Sequence, residues 1–258
     1  DRLRSRGLGD VYKRQQEGSA AKSLLLSLEA TWQYIAQNYQ ALDVIVSPSE
    51  FLRNELKRSL PDSRIDVIVN GIDDSHTPEA GTDQGYLLYV GRLSREKGVP
   101  TLARAHQLMR NNIPLKIVGH GPLYDEMVVD YPNAEFLGYV QQGPALDALI
   151  QNARAVVLPS ECYENCSMAV LEAMSFARAV VGARIGGIPE QIRHGVEGLL
   201  FEPGNAQDLA DALDVMAENP AQAHEMGLKG RVRLCQKYSL RKHMDTLLSL
   251  YRELLARP

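Results

Sequence analysis

The 258-residue sequence has few cysteines, little excess charge of either sign and no long apolar run. Its three cysteines, Cys162, Cys166 and Cys235, are odd in number, and the C-x-x-x-C spacing of the first two matches no common zinc motif. We therefore expect reduced thiols in a cytoplasmic protein and no metal site. The net charge of −4 argues against nucleic acid as a partner. No apolar run approaches the roughly 20 residues of a membrane-spanning helix.

The sequence does contain a regular alternation of short apolar segments with helical patterns. The strand candidates, in order, are YLLYV, LKIVG, AEFLGYV, RAVVLPS, AVVGA and GLLFE, and helices are predicted from Asn205 to Ala256. This alternation predicts an α/β fold with a Rossmann-like parallel sheet and helices on both faces. Ligands of such sheets bind at the carboxyl ends of the strands, so the loops that follow the strands are the candidate site.

The residues before this alternation divide into three parts. Residues 1–15 contain SRGLGDVYKRQ, which is similar to a translated transposase adapter rather than a basic disordered tail, so we treat them as non-native and expect the natural gene to extend upstream. Residues 16–75 combine a helical pattern with the strand candidates ALDVIVSPS and RIDVIVNGID. Residues 76–84 lack periodicity and are typical of a linker. Residues 85–240 form the next predicted domain.

The loop GRLSREKG, which follows YLLYV, contains two cations close to a strand end. Gly91 allows the backbone to turn there, and Arg92 and Lys97 follow it. Two such cations suit a diphosphate, one as a planar fork and one as a point charge. Two solvated surface cations are the alternative interpretation of this loop.

Two further loops contain paired glycines. Gly119 and Gly121 flank His120 in a tight turn after LKIVG, but Tyr124 occupies the third glycine position of G-x-G-x-x-G, so the dinucleotide fingerprint is only weakly supported. In RIGGIPEQI, which follows AVVGA, the Gly-Gly pair allows close backbone approach, although a plain strand-to-helix turn is the alternative.

The stretch ECYENCSMAVLEAM, after RAVVLPS, carries two glutamates eight residues apart. Glu172 lies in an otherwise apolar helix, where a buried carboxylate is unfavourable without a hydrogen-bond partner. Glu164 lies a little over two helical turns before it, so both can reach one elongated ligand, and carboxylates accept hydrogen bonds from sugar and ribose hydroxyls. The helix N-terminus, capped by Asn165 or Ser167, offers N–H groups to a phosphate. Two structural glutamates paired with Arg or Lys are the alternative.

Together these segments resemble the family 4 glycosyltransferases, retaining enzymes of the GT-B fold. The resemblance rests on PSECYENCSMAVLEAMSFARAVVGARIGGIPEQIRHGVEGLLFEPGN and on VIVNGID, YVGRLSREKG, LKIVGHGP and FLGYV in the family's order, and it covers about residues 40–258. It implies two Rossmann-like domains facing a cleft. Residues 16–75 would end the acceptor domain, residues 85–240 would form the nucleotide-sugar donor domain, and residues 241–258 would form a helix that crosses back to the first domain.

The resemblance also implies a role for each candidate residue. Arg92 and Lys97 bind the diphosphate and offset the charge of the departing nucleotide. Glu164 contacts the transferred sugar, and Glu172 contacts the ribose. The other residues expected to line the donor site are Gly91, Gly119, His120, Gly121, Gly138, Tyr139, Val140, Asn165, Cys166, Ser167 and Met168. The expected donor is a UDP- or GDP-sugar, with no cofactor and no metal.

The same resemblance sets expectations for partners and location. The acceptor is expected to be a saccharide or a lipid-linked compound in the synthesis of bacterial polysaccharide or glycolipid. We expect a cytoplasmic protein with peripheral membrane contact through the half that this sequence lacks. For the same reason we expect this chain to bind donor without transferring sugar.

Three alternatives stay open. A related GT-B enzyme, such as a sucrose synthase, a trehalose synthase or a sugar phosphorylase, would be favoured by reaction with a soluble sugar acceptor. A nucleotide-binding remnant without catalysis would be favoured if the full gene lacked a suitable N-terminal half. A Rossmann oxidoreductase is disfavoured, because the glycine fingerprint fails at Tyr124.

Overall fold

The computed structural model of the protein describes most of the chain after residue 40. The described residues are 25, 28, 29, 32, 41–74 and 83–256. The adapter-like residues 1–15 and most of the predicted linker 76–84 lie outside them, so those two predictions stay predictions. None of the helices in the described part is long and apolar enough to cross a membrane.

The described residues form two compact units. The first unit includes residues 41–46 and 55–66, and the second includes residues 47–54 and the described chain from residue 67 onward. Strand β1 (Ile45–Ser47) pairs with β2 (Ile65–Val67), and helix α1 (Glu50–Ser59) lies between them in sequence. Ser49 caps this helix, since its Oγ accepts the N–H of Leu52 at 3.2 Å.

The second unit contains the predicted alternation of strands and helices. The elements in chain order are β3 (Leu87–Val90), α2 (Val99–Leu108), β4 (Leu115–Val118), α3 (Tyr124–Asp130), β5 (Ala134–Gly138), α4 (Pro144–Gln151), β6 (Ala155–Leu158), α5 (Met168–Ser175), β7 (Ala179–Ala183), α6 (Ile188–Gln191), β8 (Gly198–Phe201), α7 (Ala206–Glu218), α8 (Pro220–Lys237) and α9 (Leu240–Leu255). A short 3-10 helix, Arg95–Lys97, precedes α2.

The six strands β3 to β8 form one parallel sheet in the order β5-β4-β3-β6-β7-β8, which confirms the predicted fold class. Leu87 of β3 is in register with Leu115 on one side and with Ala155 on the other. The strand order therefore reverses between β3 and β6. In open α/β sheets this reversal opens a crevice at the carboxyl ends of the two strands, and ligands bind there.

The sheet is buried on both faces. Alternate residues of β3 belong to two different hydrophobic clusters: Leu87 packs in the cluster that contains Leu102 of α2, and Leu88 packs in the cluster that contains Leu171 of α5. All four are fully buried, and burial of such a side chain contributes roughly 1.5–3 kcal/mol. Helices on both faces explain why the strands are continuous apolar runs rather than alternating ones.

A buried carboxylate connects the end of α2 to α7. Asp214 is 1% exposed, and its carboxylate accepts the backbone N–H groups of Arg110 at 3.1 Å and of Asn111 at 3.2 Å. The side chains of both residues donate to it as well. Burial alone would raise the pKa of Asp214, but these donors outweigh it and hold the pKa below its ordinary value.

Replacing Asp214 should therefore destabilise the sheet domain. We expect Asp214→Asn to lower the free energy of unfolding by about 2–3 kcal/mol at neutral pH, because an amide NH₂ would face N–H donors. The exposed Asp211 on the same helix, which accepts a hydrogen bond from the side chain of Gln207, is the matched control, and Asp211→Asn should change stability by less than about 0.5 kcal/mol. Urea unfolding measures both.

The pH dependence of this effect has a defined sign. Because the folded-state pKa of Asp214 is depressed, its contribution is present above the unfolded pKa of about 3.9 and is lost as pH falls through the folded pKa. The difference in stability between wild type and Asp214→Asn should narrow below about pH 4. A difference that stays constant across this range would contradict the assignment.

Candidate functional site

The candidate site begins where β3 and β6 end side by side. The loop after β3 and the loop after β6 are joined backbone to backbone, because the carbonyl of Glu96 accepts the N–H of Glu161 at 2.9 Å and that of Cys162 at 3.1 Å. A side-chain contact adds to this, since Thr101 Oγ1 donates to the Glu161 carboxylate at 2.6 Å. The two loops are therefore held together next to the point where strand order reverses.

Two predicted site residues from these loops form an ion pair. Lys97 Nζ lies 2.5 Å from Glu164 Oε1, and Ser160 Oγ donates to the same oxygen at 3.0 Å. Burial alone would lower the pKa of Lys97, but the hydrogen bond and charge of Glu164 outweigh it and raise the pKa. Glu164 therefore pairs with a cation, as the alternative of two structural glutamates predicts. Its partner is Lys97, which the resemblance assigns to the diphosphate of the same donor.

The second predicted cation, Arg92, is exposed on the same loop. The pKa of Glu96 is lowered first by the Ser94 hydroxyl, which donates to it at 2.7 Å, and further by the charges of Arg92 and Lys97. Both cations therefore act on one carboxylate within this loop. The hydroxyl of Tyr89 donates to the carbonyl of Arg92 at 2.8 Å and so restrains the backbone of Arg92.

The glycine turn after β4 lies directly against the loop after β3. Gly119 has φ +135°, and a Cβ at this position would lie 1.8 Å from the carbonyl oxygen of Gly91. Its N–H donates to the carbonyl of Gly138 at 2.7 Å, while Gly121 accepts the N–H of Tyr124 at 3.1 Å. The structure thus brings the predicted loops after β3, β4 and β5 into contact through their backbones.

Aromatic side chains surround this turn. The ring of His120 stacks on Tyr124 at a centroid distance of 4.6 Å and an angle of 13°, and Tyr124 packs edge-on against Phe136. Tyr124, which breaks the dinucleotide fingerprint, therefore has a packing role. Tyr139 after β5 is 77% exposed and Val140 is partly buried.

The loop that carries Glu164 is supported by the second glycine pair. The N–H of Gly187 donates to the carbonyl of Glu164 at 2.6 Å, and a Cβ at Gly187 would lie 1.9 Å from the carbonyl oxygen of Asn165. The predicted close approach at this pair is confirmed, and the group approached is the protein's own backbone. Cys166 in the same loop is buried.

The predicted capping of α5 by a side chain is wrong for Ser167. Ser167 occupies the N-cap position, but its side chain makes no capping hydrogen bond. Instead Gln191, which is 1% exposed, accepts the N–H of Ser167 at 2.8 Å and donates to its carbonyl at 3.0 Å. The N–H of Ser167 is thereby used within the protein, and the N–H groups left for a ligand begin at Met168, the first helical residue, which is 40% exposed.

Glu172 lies in a cavity that has no cation among the described residues that line it. The cavity has a volume of about 660 Å³, is lined by residues of α4 and α5, and has Asp73, Gln142 and Asp147 among its polar residues. Burial raises the pKa of Glu172, and the negative charge of Asp147 raises it further. Within the described part of the chain no hydrogen bond or ion pair reaches this carboxylate. The alternative of a structural ion pair is therefore not found for Glu172.

The described residues contain no group of three or more His, Cys, Asp or Glu side chains arranged to hold a metal ion. The three cysteines are free thiols; Cys162 is partly buried, Cys166 buried and Cys235 exposed.

Sequence reasoning missed three residues of the candidate site: Ser160, Gln191 and Asp147. No spacing or motif singles out Gln191, since it follows another polar residue, Glu190, in α6.

Solved structures share this fold. Sucrose-phosphate synthase from Thermosynechococcus elongatus has a TM-score of 0.78 and 24% identity and matches 97% of this chain and 66% of its own. HepE of Anabaena, solved in complex with UDP, has a TM-score of 0.71 and 20% identity over 81% of this chain and 64% of its own. These neighbours are GT-B glycosyltransferases, which confirms the fold prediction.

Two curated proteins are similar to this chain in sequence. The α-maltose-1-phosphate synthase of Mycolicibacterium smegmatis is 27% identical over 84% of this chain and 65% of its own length. The glycogen synthase of Mycobacterium tuberculosis is 33% identical over 68% of this chain and 45% of its own length. The chain thus spans less than two thirds of these curated relatives. The family model described as Glycosyl transferases group 1 matches residues 84–219, which is more than half of the sequence, and the chain belongs to this family.

Proposed function

We propose that the chain is the donor-binding part of a retaining glycosyltransferase of family 4, which moves a sugar from a nucleoside-diphosphate sugar to a hydroxyl acceptor. The observation that carries the proposal is the Glu172 carboxylate, which is partly buried in a cavity where no described residue offers it a cation. A buried carboxylate without a partner is unfavourable unless a ligand supplies hydrogen-bond donors. Arg92 and Lys97, on the loop after β3, add two cations that suit a diphosphate.

The diphosphate is proposed to bind between the two cations and the N-terminus of α5. Arg92 presents an exposed planar fork, and Lys97 stays protonated because its pKa is raised. The N–H groups from Met168 onward add the positive end of the helix. These groups would stabilise the negative charge that develops on the departing nucleoside diphosphate.

The Lys97–Glu164 ion pair suggests how the donor is accommodated. In the structure each residue satisfies the other at 2.5 Å. A donor would offer phosphate oxygens to Lys97 and sugar hydroxyls to Glu164, so both members of the pair exchange partners and each keeps a hydrogen bond. This exchange places the sugar next to the diphosphate, as transfer requires.

The nucleoside is proposed to occupy the cavity beside Glu172. A carboxylate accepts the two hydroxyls of a ribose, and this would satisfy Glu172. The loops that contain His120, Tyr139 and Val140 would surround the base. UDP is the first candidate, because the similarly folded HepE was solved in complex with UDP; a GDP-sugar is the second.

The acceptor is proposed to be a saccharide or lipid-linked hydroxyl in bacterial polysaccharide or glycolipid synthesis, with the protein in the cytoplasm and in peripheral contact with the membrane. A soluble sugar phosphate is a second candidate acceptor. The names of two similar proteins, sucrose-phosphate synthase and α-maltose-1-phosphate synthase, support this second candidate.

Calorimetric titration with UDP, GDP and ADP tests the donor assignment. We expect one nucleotide to bind and both Glu172→Gln and Arg92→Ala to weaken it by about tenfold or more, since each removes hydrogen bonds that involve a charge. Arg95→Ala and Glu225→Gln are the matched controls, because both residues are exposed and neither is assigned to the site. Equal affinity of the Glu172→Gln variant and the wild type would overturn the ribose assignment.

The raised pKa of Glu172 predicts a pH dependence of nucleotide binding. Only the ionised carboxylate accepts two hydroxyls, so affinity should fall as pH drops through this pKa, which lies above the ordinary value for glutamate. Asp147→Asn removes a neighbouring negative charge, and the midpoint should then move to lower pH. Titrations with UDP from about pH 5 to pH 8 would measure the midpoint.

The phosphate of UDP also titrates in this range, with a pKa of about 6. The Glu172→Gln variant retains that phosphate titration but lacks the carboxyl, so the ratio of wild-type to variant affinity isolates Glu172. If this ratio does not change with pH, or if Asp147→Asn leaves its midpoint in place, the proposed role of the ionised carboxylate is incorrect.

A further inference from the structure

A buried tyrosine lies beneath the loop that bears Arg92. Tyr89 of β3 is 4% exposed, and its hydroxyl donates to the carbonyl oxygen of Arg92 at 2.8 Å. A Cβ at Gly91 would lie 2.8 Å from the same hydroxyl oxygen, so the phenol lies directly against this backbone. The contact links a side chain of the sheet to the backbone of a residue proposed to bind the diphosphate.

The segment Gly91–Leu93 is held at both ends by backbone hydrogen bonds. At one end the N–H of Gly91 donates to the carbonyl of Val118 at 3.0 Å, and at the other the N–H of Leu93 donates to the carbonyl of His120 at 3.1 Å. Between these two backbone contacts, the carbonyl of Arg92 accepts the Tyr89 hydroxyl, and no other described residue donates to it. The middle of the segment therefore depends on a side chain, and one substitution can remove that restraint.

The surroundings keep this phenol in its donor form. Burial raises the pKa of Tyr89, and the negative charges of Glu164 and Glu96 raise it further. The hydroxyl thus carries its proton at physiological pH and can donate to the Arg92 carbonyl throughout. The same charges show that Tyr89 lies within electrostatic reach of the Lys97–Glu164 pair.

We propose that Tyr89 is a positioning residue for diphosphate binding: its hydroxyl fixes the backbone of Arg92, and the exposed guanidinium is thereby held where the phosphate oxygens bind. The inference rests on the proposed function, which assigns Arg92 to the diphosphate. Preorganisation of a long cationic side chain increases affinity, because less conformational freedom is lost on binding. Tyr89→Phe removes the hydroxyl and leaves the ring in place.

The other end of the same strand supplies a matched control. Tyr86 immediately precedes β3, is 3% exposed, and donates its hydroxyl to the carbonyl of Leu149 at 2.6 Å. Tyr86→Phe therefore deletes the same chemical group from the same kind of hydrogen bond, but at the opposite end of the strand from Arg92. The two variants should lose similar amounts of thermal stability, so a difference in ligand binding cannot be attributed to stability.

Calorimetric titration with UDP of wild type, Tyr89→Phe, Tyr86→Phe, Arg92→Ala and the Tyr89→Phe/Arg92→Ala double variant tests the proposal. Tyr89→Phe should weaken binding by about threefold to tenfold, and Tyr86→Phe by less than about twofold. In the Arg92→Ala background, Tyr89→Phe should have less than about a twofold further effect, because the residue acts through Arg92. An equal loss with and without Arg92 would show that Tyr89 has only a structural role and would overturn the inference.

Amide hydrogen exchange without ligand provides a second measurement. Exchange in the segment Gly91–Leu93 should be faster in Tyr89→Phe than in wild type and unchanged in Tyr86→Phe. Unchanged exchange in Tyr89→Phe would refute the positioning role. If wild type binds none of UDP, GDP and ADP, the proposed function fails, and hydrogen exchange alone decides whether Tyr89 holds the segment.

Discussion

Close backbone contact between neighbouring strand-end loops is the constraint on which the candidate site depends. A Cβ at Gly119 would lie 1.8 Å from the carbonyl oxygen of Gly91, and one at Gly187 would lie 1.9 Å from that of Asn165. No side chain fits at either position, so at these two points the loops touch through main-chain atoms. As a result the backbones that carry Arg92 and Glu164 are each packed against a neighbouring loop. Parallel strands bring these loops to one edge, and the reversal of strand order leaves space between them for a ligand.

Much of this arrangement could be predicted from the sequence, because it follows from local patterns. Apolar runs separated by helical segments predict the parallel sheet, and a parallel sheet gathers the loops that carry Lys97 and Glu164 at one edge. The structure adds that their strands, β3 and β6, are neighbours. The structure places the two side chains in an ion pair at 2.5 Å, and their assignment to one ligand stays a prediction. The apolar pattern around Glu172 also predicts that this residue lies inside a helix, and α5 confirms this.

Other features depend on neighbours that are distant in sequence. Gln191 replaces the expected side-chain cap of α5, because α6 brings its amide against Ser167, 24 residues earlier. Asp147 acts on Glu172 across a cavity that α4 and α5 line together. The Tyr89 hydroxyl meets the Arg92 carbonyl because the chain turns back over the ring at Gly91. No periodicity or motif records these pairings, since each is set by how the elements pack.

Glu172 shows that this site is not arranged for the stability of the free protein. Its folded-state pKa is raised, so the unfolded chain releases this proton more readily than the folded one, and stability falls as pH rises through the shifted pKa. Asp214 has the opposite sign, because its N–H donors depress its pKa and the ionised form stabilises the fold. Two carboxylates in one domain thus oppose each other in their effect on stability at neutral pH. A ligand that donates hydrogen bonds to Glu172 would favour its ionised form, and the binding energy would offset the destabilisation.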